Sequence, residues 1–320
     1  MNLQNIKLNG RHYIDEGRVY FYNGGSGLSF KINGSGFTIG FKSTPVEGYF
    51  YIIVDHNYNK KVKVSTLEKE YKYSFDNKDV HFVDIVKANE ANDNVFELIK
   101  LGFDGELLEF DESYNGVVKV FGDSTIAGFG ILEKTGPASI HNSDSVRDFC
   151  YHALYELGMD IDILSASGYG LAFSAYTNPK TIGLFDYLDR VAVNQHIEWQ
   201  DRSKANLIII SLGCNDNSYI EEDPLARETR VNYFKRQYQA LIESQIKGNK
   251  DLKILMIYGT LKEENAYYLY EETYEYLKPL YKNLYIHKFN GDNTAISNHA
   301  YVTAHERMKE ELKKVIKEIL

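Results

Sequence analysis

The spacing of apolar residues changes character near residue 112 of this 320-residue chain. Before that point, short runs of alternating apolar and polar residues are separated by glycine-rich turns at residues 23–25 and 33–36. The runs that we predict to be strands are residues 19–22, 27–32, 36–41, 49–54, 61–64, 81–86 and 95–101. Short strands at this spacing are typical of a β-sandwich or jelly roll. The pattern therefore predicts an all-β domain over residues 1–112.

From residue 113 onward, strand-like segments alternate with segments of helix length. The predicted strands are residues 117–121, 161–164, 207–212, 253–258 and 284–289, and the predicted helices are residues 143–157, 227–247, 263–281 and 301–320. This alternation predicts a parallel sheet covered by helices on both faces, a three-layer α/β domain over residues 113–320. In the last helix, the apolar residues spaced to face the sheet are Met308, Leu312, Val315 and Leu320.

Charge and composition exclude several classes of partner. A net charge of −9 without a basic stripe argues against nucleic acid. Cys150 and Cys214 are too far apart for a metal motif, and no His-Glu-x-x-His pattern occurs, so we expect neither a metal nor a cofactor. Residues 1–6 lack a signal peptide's basic and apolar regions, and no apolar run reaches membrane-spanning length. We expect a chain without a membrane partner, cytoplasmic as it stands or secreted if a leader has been removed.

The stretch from Val118 to Gly130 contains the candidate nucleophile. An apolar, strand-like run ends at Gly122-Asp123-Ser124, and glycines follow. A serine at the carboxyl end of a buried strand, beside a glycine-rich turn, lies where open α/β sheets bind ligands. Ser124 could also be only a helix cap. We predict that it is a nucleophile, and that Asp123 braces the loop through backbone N–H groups.

Two later strands end in residues that could stabilise an oxyanion. Gly168 follows the strand at residues 161–164, where a glycine permits close backbone approach and its N–H can donate to an oxyanion. The alternative for Gly168 is a plain turn glycine. Asn215 follows the most apolar run of the chain, residues 206–212, and its carboxamide is a second candidate donor. Asparagine is also a common turn residue at such a junction.

Three of the nine histidines lie in the region that a catalytic base would occupy. His287 falls inside the last predicted strand, where we expect a packed or solvent-facing residue. His305 falls inside the last predicted helix, where we expect a surface or capping residue. His299 lies in the loop between these two elements, at the carboxyl end of the sheet, and is therefore the predicted base.

These segments, in this order, resemble those of the SGNH (GDSL-type) hydrolases, and most closely carbohydrate esterase family 2. In that family a β-sandwich domain precedes a flavodoxin-like SGNH domain. The segments that carry the resemblance are residues 121–130, 165–170, 211–216, His299 with His305 six residues later, and residues 81–90 of the β domain. The resemblance implies that Ser124 is the nucleophile and His299 the base. It also implies an oxyanion hole made by the N–H groups of Ser124 and Gly168 and the side chain of Asn215.

The chain departs from the family pattern around the base. The family usually has an aspartate two or three residues before the histidine and a proline after it, whereas this chain has Ile296, Ser297 and Ala300 at those positions. Some members of the esterase family use a Ser-His dyad. We predict such a dyad here, with His299 Nδ1 bonded to a nearby carbonyl, to the Ser297 hydroxyl or to the more distant Asp292.

The resemblance implies an O-acetylated poly- or oligosaccharide substrate, including 6-O-acetyl gluco- or manno-configured units. Tyr169, Trp199 and Tyr219 lie in loops that could reach such a substrate, and ordinary packing is the alternative for each. Two other functions remain open. SGNH folds also hydrolyse other acyl esters, as lipases and thioesterases do. The missing aspartate and proline would also suit a carbohydrate-binding protein whose catalytic site has decayed.

Overall fold

The computed structural model describes residues 3–200, 204–247, 249–262 and 264–320. Its amino-terminal part is an antiparallel sheet of eight strands in the order β2-β3-β8-β4-β7-β5-β6, with β1 paired to β4. The strands are β1 (Ile6–Asn9), β2 (His12–Asp15), β3 (Arg18–Phe21), β4 (Gly27–Thr44), β5 (Gly48–Val54), β6 (Asn57–Val64), β7 (Lys69–Lys87) and β8 (Val95–Leu108). An apolar core that includes Phe30, Phe37 and Phe50 lies within this sandwich. The predicted all-β sandwich is confirmed.

The predicted turn at residues 33–36 is wrong, because β4 runs through it without a break. The register of β4 shifts between Gly34 and Gly36 against β7. A Cβ atom on Gly34 would lie 2.6 Å from the carbonyl oxygen of Asp104 in β8. A Cβ atom on Gly36 would lie 2.3 Å from that of Tyr73 in β7. These glycines therefore permit close approach of neighbouring strands at a β-bulge rather than a change of direction.

The carboxyl-terminal part is a five-stranded parallel sheet in the order β10-β9-β11-β12-β13. The strands are β9 (Val117–Gly122), β10 (Asp160–Ser165), β11 (Leu207–Ser211), β12 (Lys253–Tyr258) and β13 (Leu284–Lys288), and the helices are α1 (Phe149–Glu156), α2 (Cys214–Ile220), α3 (Arg227–Ile246), α4 (Glu264–Leu277) and α5 (Val302–Ile319). In order along the chain this sheet reads 2-1-3-4-5, the flavodoxin-like arrangement. One apolar cluster packs the sheet against α1 and α5, and a second packs it against α3 and α4. The predicted three-layer α/β domain is confirmed.

Helix ends differ from the prediction for identifiable reasons. Helix α1 begins at Phe149 instead of residue 143, because the carboxylate of Asp148 accepts hydrogen bonds from the first free backbone N–H groups of the helix. Met308 and Leu312 in α5 are buried as predicted and Val315 is partly buried, but Leu320 is 51% exposed beyond the end of the helix. Residue 263, the predicted start of α4, lies outside the described residues. Helix α2 has no counterpart in the prediction.

The two sheets pack against each other through apolar and charged contacts. Tyr51, Val86 and Ala88 of the amino-terminal part join the apolar cluster that also contains α1 and α5. The buried carboxylate of Asp144 accepts hydrogen bonds from the Tyr51 hydroxyl at 2.7 Å and from Lys61 Nζ at 2.6 Å. A division of the chain after residue 112, in the segment between β8 and β9, stays a prediction. No helix in the described ranges is long and apolar enough to cross a membrane.

Candidate active site

A cavity of about 430 Å³ opens at the carboxyl edge of the parallel sheet. Parallel strands all end at this edge, so the segments that follow β9, β10, β11 and β13 meet there. Each segment contributes one of the predicted site residues to the wall of the cavity: Ser124, Gly168, Asn215 and His299. The fold therefore brings together four residues that lie far apart in the sequence.

Ser124 lies in the tight turn that follows β9. The turn passes so close to Ile126 that a Cβ atom on Gly122 would lie 2.3 Å from its Cγ1. Asp123 Oδ1 accepts a hydrogen bond from the backbone N–H of Thr125 at 3.0 Å, so Asp123 braces the turn as expected. The backbone N–H of Phe129 donates to the Ser124 carbonyl at 3.0 Å and closes the turn. Ser124 Oγ is left 2.7 Å from His299 Nε2.

The imidazole of His299 is held between the serine and the backbone of its own loop. Its Nδ1 lies 3.2 Å from the carbonyl oxygens of both Ile296 and Ser297, which are acceptors only. We therefore assign the proton to Nδ1, which leaves the Nε2 lone pair toward Ser124. Burial lowers the pKa of His299 below its usual 6.5, against the two carbonyls, which raise it. The ring also packs against Phe129, with the ring centroids 5.0 Å apart.

Neither side chain that the sequence offered as an orienter bonds to His299 in the part of the chain that the structure describes. Asp292 Oδ1 instead accepts hydrogen bonds from the backbone N–H groups of Thr294 at 3.2 Å and Tyr301 at 3.1 Å. These bonds close the loop that carries the histidine. Ser297 contributes its backbone carbonyl rather than its hydroxyl.

Three groups at the cavity can donate to an oxyanion. Asn215 lies in the first turn of α2, and its Nδ2 donates one N–H to the Tyr169 carbonyl at 3.0 Å, which leaves the second N–H of the amide for another acceptor. Gly168 has a positive φ of 84°, a conformation that favours glycine. Among the described residues, no hydrogen bond occupies the backbone N–H groups of Gly168 and Ser124.

Asp216, which follows Asn215, was not predicted to have a role. It connects α2 to the loop that follows Gly168. The buried carboxylate of Asp216 accepts three backbone N–H groups, from Leu171 at 2.7 Å, Ala172 at 2.8 Å and Phe173 at 2.9 Å. Burial raises the pKa of Asp216 to about 7, although the three N–H donors lower it. Asp216 therefore fixes the two donor-bearing segments relative to each other. Its only sequence signal is its position beside Asn215.

The structure does not bring the three predicted sugar-contacting aromatic side chains into the cavity wall. Tyr169 is buried and donates its hydroxyl to Asn194 at 2.8 Å. Trp199 packs edge-on against His12 in a separate cleft near Asp160, at the opposite edge of the sheet. Tyr219 stacks against Arg230. In each case, packing within the protein accounts for the aromatic ring.

A different tyrosine lines the cavity. Tyr176 is 88% exposed, and a Cβ atom on Gly168 would lie 3.3 Å from its Cδ2 atom. The sequence gives no signal for this residue, because its position at the cavity depends on a loop that folds back over Gly168.

His305 is buried, so the surface alternative for it is wrong. Its Nδ1 accepts the backbone N–H of Phe149 at 3.1 Å and thereby caps the start of α1. Burial lowers the pKa of His305 to about 3, so the ring is neutral and can accept this bond. The second histidine of the His-x5-His spacing thus packs α5 onto α1 beneath the loop that carries His299.

The comparisons with known proteins agree with this architecture. Residues 8–110 match the family model described as Carbohydrate esterase 2 N-terminal. The whole chain also resembles a family two carbohydrate esterase from Clostridium thermocellum in complex with cellohexaose, with a TM-score of 0.84, 21% identity and 98% of each chain covered. The fold is that of the family two carbohydrate esterases. The predicted resemblance to this family is therefore confirmed.

Two further solved structures support the same assignment of the fold. A family two carbohydrate esterase from Cellvibrio japonicus has a TM-score of 0.85 at 20% identity, with 98% of this chain and 95% of that chain covered. An acetyl xylan esterase from the rumen bacterium Butyrivibrio proteoclasticus has a TM-score of 0.85 at 14% identity, with 99% and 96% covered. Among curated protein sequences, none matches this chain.

Proposed function

We propose that this protein is a serine esterase that removes O-acetyl groups from carbohydrates. The observation that carries the proposal is the 2.7 Å contact between Ser124 Oγ and His299 Nε2, with Nδ1 of the same ring facing two backbone carbonyls. A serine becomes a nucleophile when a neutral imidazole can take its proton.

The reaction proceeds in two steps through an acetyl-enzyme. His299 Nε2 takes the proton of Ser124 as Oγ attacks the acetyl carbonyl carbon. The N–H groups of Ser124 and Gly168 and the amide of Asn215 stabilise the oxyanion. The tetrahedral intermediate then collapses, and the imidazolium gives its proton to the departing sugar oxygen. Water, activated by the same histidine, attacks the acetyl group and releases acetate, which regenerates the serine.

A Ser-His dyad is sufficient for this chemistry. The carbonyls of Ile296 and Ser297 fix the tautomer and the orientation of the ring, which is one of the two roles of the aspartate in a triad. They stabilise the imidazolium less than a carboxylate would, because they carry only partial charge. We therefore expect lower turnover than in a comparable enzyme with a full triad.

The cavity suits a carbohydrate ester better than a long acyl chain. Its wall includes the polar side chains of Asp123 and Asn215. Tyr176 offers an exposed ring face that can stack on the C–H groups of a sugar. The neighbours in fold include an esterase in complex with cellohexaose and an acetyl xylan esterase, which favours an acetylated polysaccharide. The first substrates to test carry 6-O-acetyl gluco- or manno-configured units.

The test is acetate release from acetylated glucomannan and acetylated xylan by the wild type and by Ser124→Ala. We expect turnover by the wild type and a loss of at least about a thousandfold in Ser124→Ala, since the nucleophile is gone. Ser218→Ala is the matched control, because Ser218 lies in the same cavity but donates its hydroxyl to the Cys214 carbonyl. This variant should retain kcat within a few-fold.

Two results would favour the alternatives. A preference for p-nitrophenyl octanoate over p-nitrophenyl acetate would indicate a lipase or thioesterase. Sugar binding without any ester turnover in the wild type would indicate a carbohydrate-binding protein.

A further inference from the structure

A carboxylate from the amino-terminal sandwich reaches the loop that carries the proposed oxyanion donor. Glu90 lies just after β7 and is buried. Its Oε2 accepts the backbone N–H of Ser167 at 2.8 Å, and its Oε1 accepts the Ser167 hydroxyl at 2.6 Å. Ser167 immediately precedes Gly168 and lines the same cavity. One side chain of the first sheet therefore binds the residue next to a proposed catalytic donor at two points.

Hydrogen bonds also fix the segment that carries Glu90. Lys87 Nζ donates to the backbone carbonyls of Asn89 at 2.5 Å and Glu90 at 3.2 Å. The Asn89 side chain accepts the backbone N–H of Tyr49 and donates to the carbonyl of residue 140. Asn92 Nδ2 donates to the Ser167 carbonyl at 3.3 Å. The contact between Glu90 and Ser167 therefore joins a fixed turn of one sheet to a loop of the other.

We propose that Glu90 is a positioning residue for the esterase reaction, holding Ser167 so that the Gly168 N–H is directed at the oxyanion. The proposal rests on the proposed function. Gly168 has a backbone conformation that is accessible mainly to glycine, so the peptide before it needs an external restraint to keep one orientation. The two bonds from Glu90 to the N–H and hydroxyl of Ser167 supply that restraint together with the bond from Asn92 to the Ser167 carbonyl. A donor that moves by about 1 Å loses much of its effect on the transition state.

The charge on Glu90 is costly to maintain, which argues against a role as simple packing. Burial and the neighbouring Asp93 raise the pKa of Glu90 to about 7, whereas the two Ser167 donors and Lys87 lower it. Buried carboxylates with raised pKa values cluster at functional sites. An apolar residue could fill the same space without a buried charge, but it would leave the Ser167 N–H and hydroxyl without these acceptors.

A second hydrogen bond across the interface provides a matched control. It tests whether weaker packing of the two sheets is enough to lower activity. The Tyr155 hydroxyl in α1 donates to Asp84 Oδ2 in β7 at 2.6 Å. This bond also joins the two parts of the chain and is as short as the Glu90 bonds, but neither residue lines the cavity. Loss of either contact weakens the interface, but of the two contacts only that of Glu90 restrains the segment that carries Gly168.

The variant Glu90→Leu removes both acceptors, whereas a glutamine could accept the Ser167 N–H and donate to the Ser167 hydroxyl oxygen. The experiment measures the melting temperature, and kcat and KM with p-nitrophenyl acetate, for the wild type, Glu90→Leu, Tyr155→Phe and Ser124→Ala. In Glu90→Leu we expect kcat to fall about 10- to 100-fold while KM changes by less than about threefold. Tyr155→Phe should lower the melting temperature but keep kcat within about twofold. Ser167→Ala retains the backbone bond and should lose less activity than Glu90→Leu, and it substitutes for that variant if Glu90→Leu does not fold.

Two outcomes would overturn the positioning role. One is a Glu90→Leu enzyme with kcat within twofold of wild type, or, if Glu90→Leu does not fold, a Ser167→Ala enzyme with unchanged kcat. The other is a Tyr155→Phe enzyme that loses kcat as severely as Glu90→Leu. The proposed function fails separately, if the wild type has no turnover or Ser124→Ala retains it.

Discussion

A histidine that acts as a base needs a hydrogen-bond acceptor behind it as well as a nucleophile in front of it. In His299 the acceptors are two carbonyls of the same short loop, and the backbone conformation of that loop explains how both reach Nδ1. Ser297 and Asn298 have positive φ angles of 53° and 61°. Residues other than glycine adopt this conformation at a cost and usually where a site requires it. In the proposed dyad, this strained backbone takes the place of a side-chain carboxylate.

The pH dependence of turnover should reflect the pKa of His299, which burial lowers. The ring accepts the serine proton only when it is neutral, and burial lowers its pKa below 6.5. Activity should therefore be fully present near pH 7 and be lost as pH falls through a midpoint below 6.5. The measurement is kcat/KM for p-nitrophenyl acetate from about pH 4.5 to 8. Because the pKa of Glu90 is itself raised to about 7, the profile is also measured in Glu90→Leu. An acid limb centred above 6.5 in that variant would contradict the assignment of His299 as the buried base.

Asn215→Ala should lower kcat by about 10²–10³, the usual effect of removing one oxyanion donor. KM should change little, because the amide contributes mainly to the transition state. Asn217→Ala is the control: this residue lies two positions further along α2, and its Oδ1 accepts the Tyr268 hydroxyl at 2.9 Å. The control should lose stability but keep kcat. Equal kcat values for the two variants would show that Asn215 does not donate to the oxyanion.

At the scale of elements, the sequence predicts buried strands best. The strands β9 to β13 lie within two residues of their predicted bounds. The signal is clearest in β11 and β12, because a central parallel strand is a nearly continuous apolar run. Helix α2 was missed because its seven residues are mostly polar and too few to show a period. The glycines of β4 were misread because a bulge and a turn use the same residue for different reasons.

The residues of the candidate site also differ in whether the sequence predicts them. Ser124, Gly168, Asn215 and His299 could be proposed from sequence because each follows a recognisable strand or belongs to a familiar segment. Glu90 and Asp216 lie at the ends of two of these segments, yet their contacts could not be proposed from the sequence. Their partners belong to remote loops and are mostly backbone N–H groups, which leave no residue pattern. Trp199 was predicted to reach the substrate but lies in a separate cleft. The sequence does not reveal at which edge of the sheet an aromatic residue in a loop lies.

The loop that connects β13 to α5 offers a direct test of the dyad. Asp292 closes this loop by accepting backbone N–H groups, and an asparagine oxygen can accept the same bonds. Asp292→Asn should therefore keep kcat within about threefold. Ser297→Ala should do the same, because this serine contributes a carbonyl that alanine retains.

The reference for both variants is His299→Ala, which should lose nearly all turnover, with kcat measured on p-nitrophenyl acetate throughout. A loss of more than about a hundredfold in Asp292→Asn would show that its carboxylate acts as a third member of the site. The dyad would then be wrong.

On the scale of the whole molecule, the amino-terminal sandwich is part of the structure that supports the site. Its contacts with the α/β domain include the buried pair of Arg11 with Asp162, and Lys61 with Asp144. Asp144 also accepts the backbone N–H of Val146, in the turn that precedes α1. Because these charged groups are buried by the opposing domain, the α/β domain without the sandwich would expose apolar surface and leave carboxylates unpaired.

Two ion pairs indicate how much this interface contributes to the free energy of unfolding. They join β1 and the residues just after it to β10. Arg11 Nε lies 3.0 Å from Asp162 Oδ1, with the side chains 3% and 8% exposed. Arg11 also donates to the carbonyls of Leu188 and Arg190. Lys7 Nζ lies 2.6 Å from Asp160 Oδ1, with the side chains 22% and 29% exposed. Loss of a cation leaves a carboxylate without its partner, and the cost depends on whether water can replace that partner.

We expect Arg11→Met to lower the free energy of unfolding by about 3–5 kcal/mol, because Asp162 becomes a buried, unpaired charge. Lys7→Met should cost at most about 1 kcal/mol, because water can reach Asp160. Both substitutions keep most of the aliphatic length of the side chain, so the difference reflects the lost ion pairs together with the Arg11 bonds to Leu188 and Arg190. Urea unfolding of the full chain measures this difference. Adding Asp162→Leu to Arg11→Met should recover part of the loss, since the unpaired charge is removed. Equal losses in the two single variants would mean that water reaches Asp162, and that this part of the interface opens in solution.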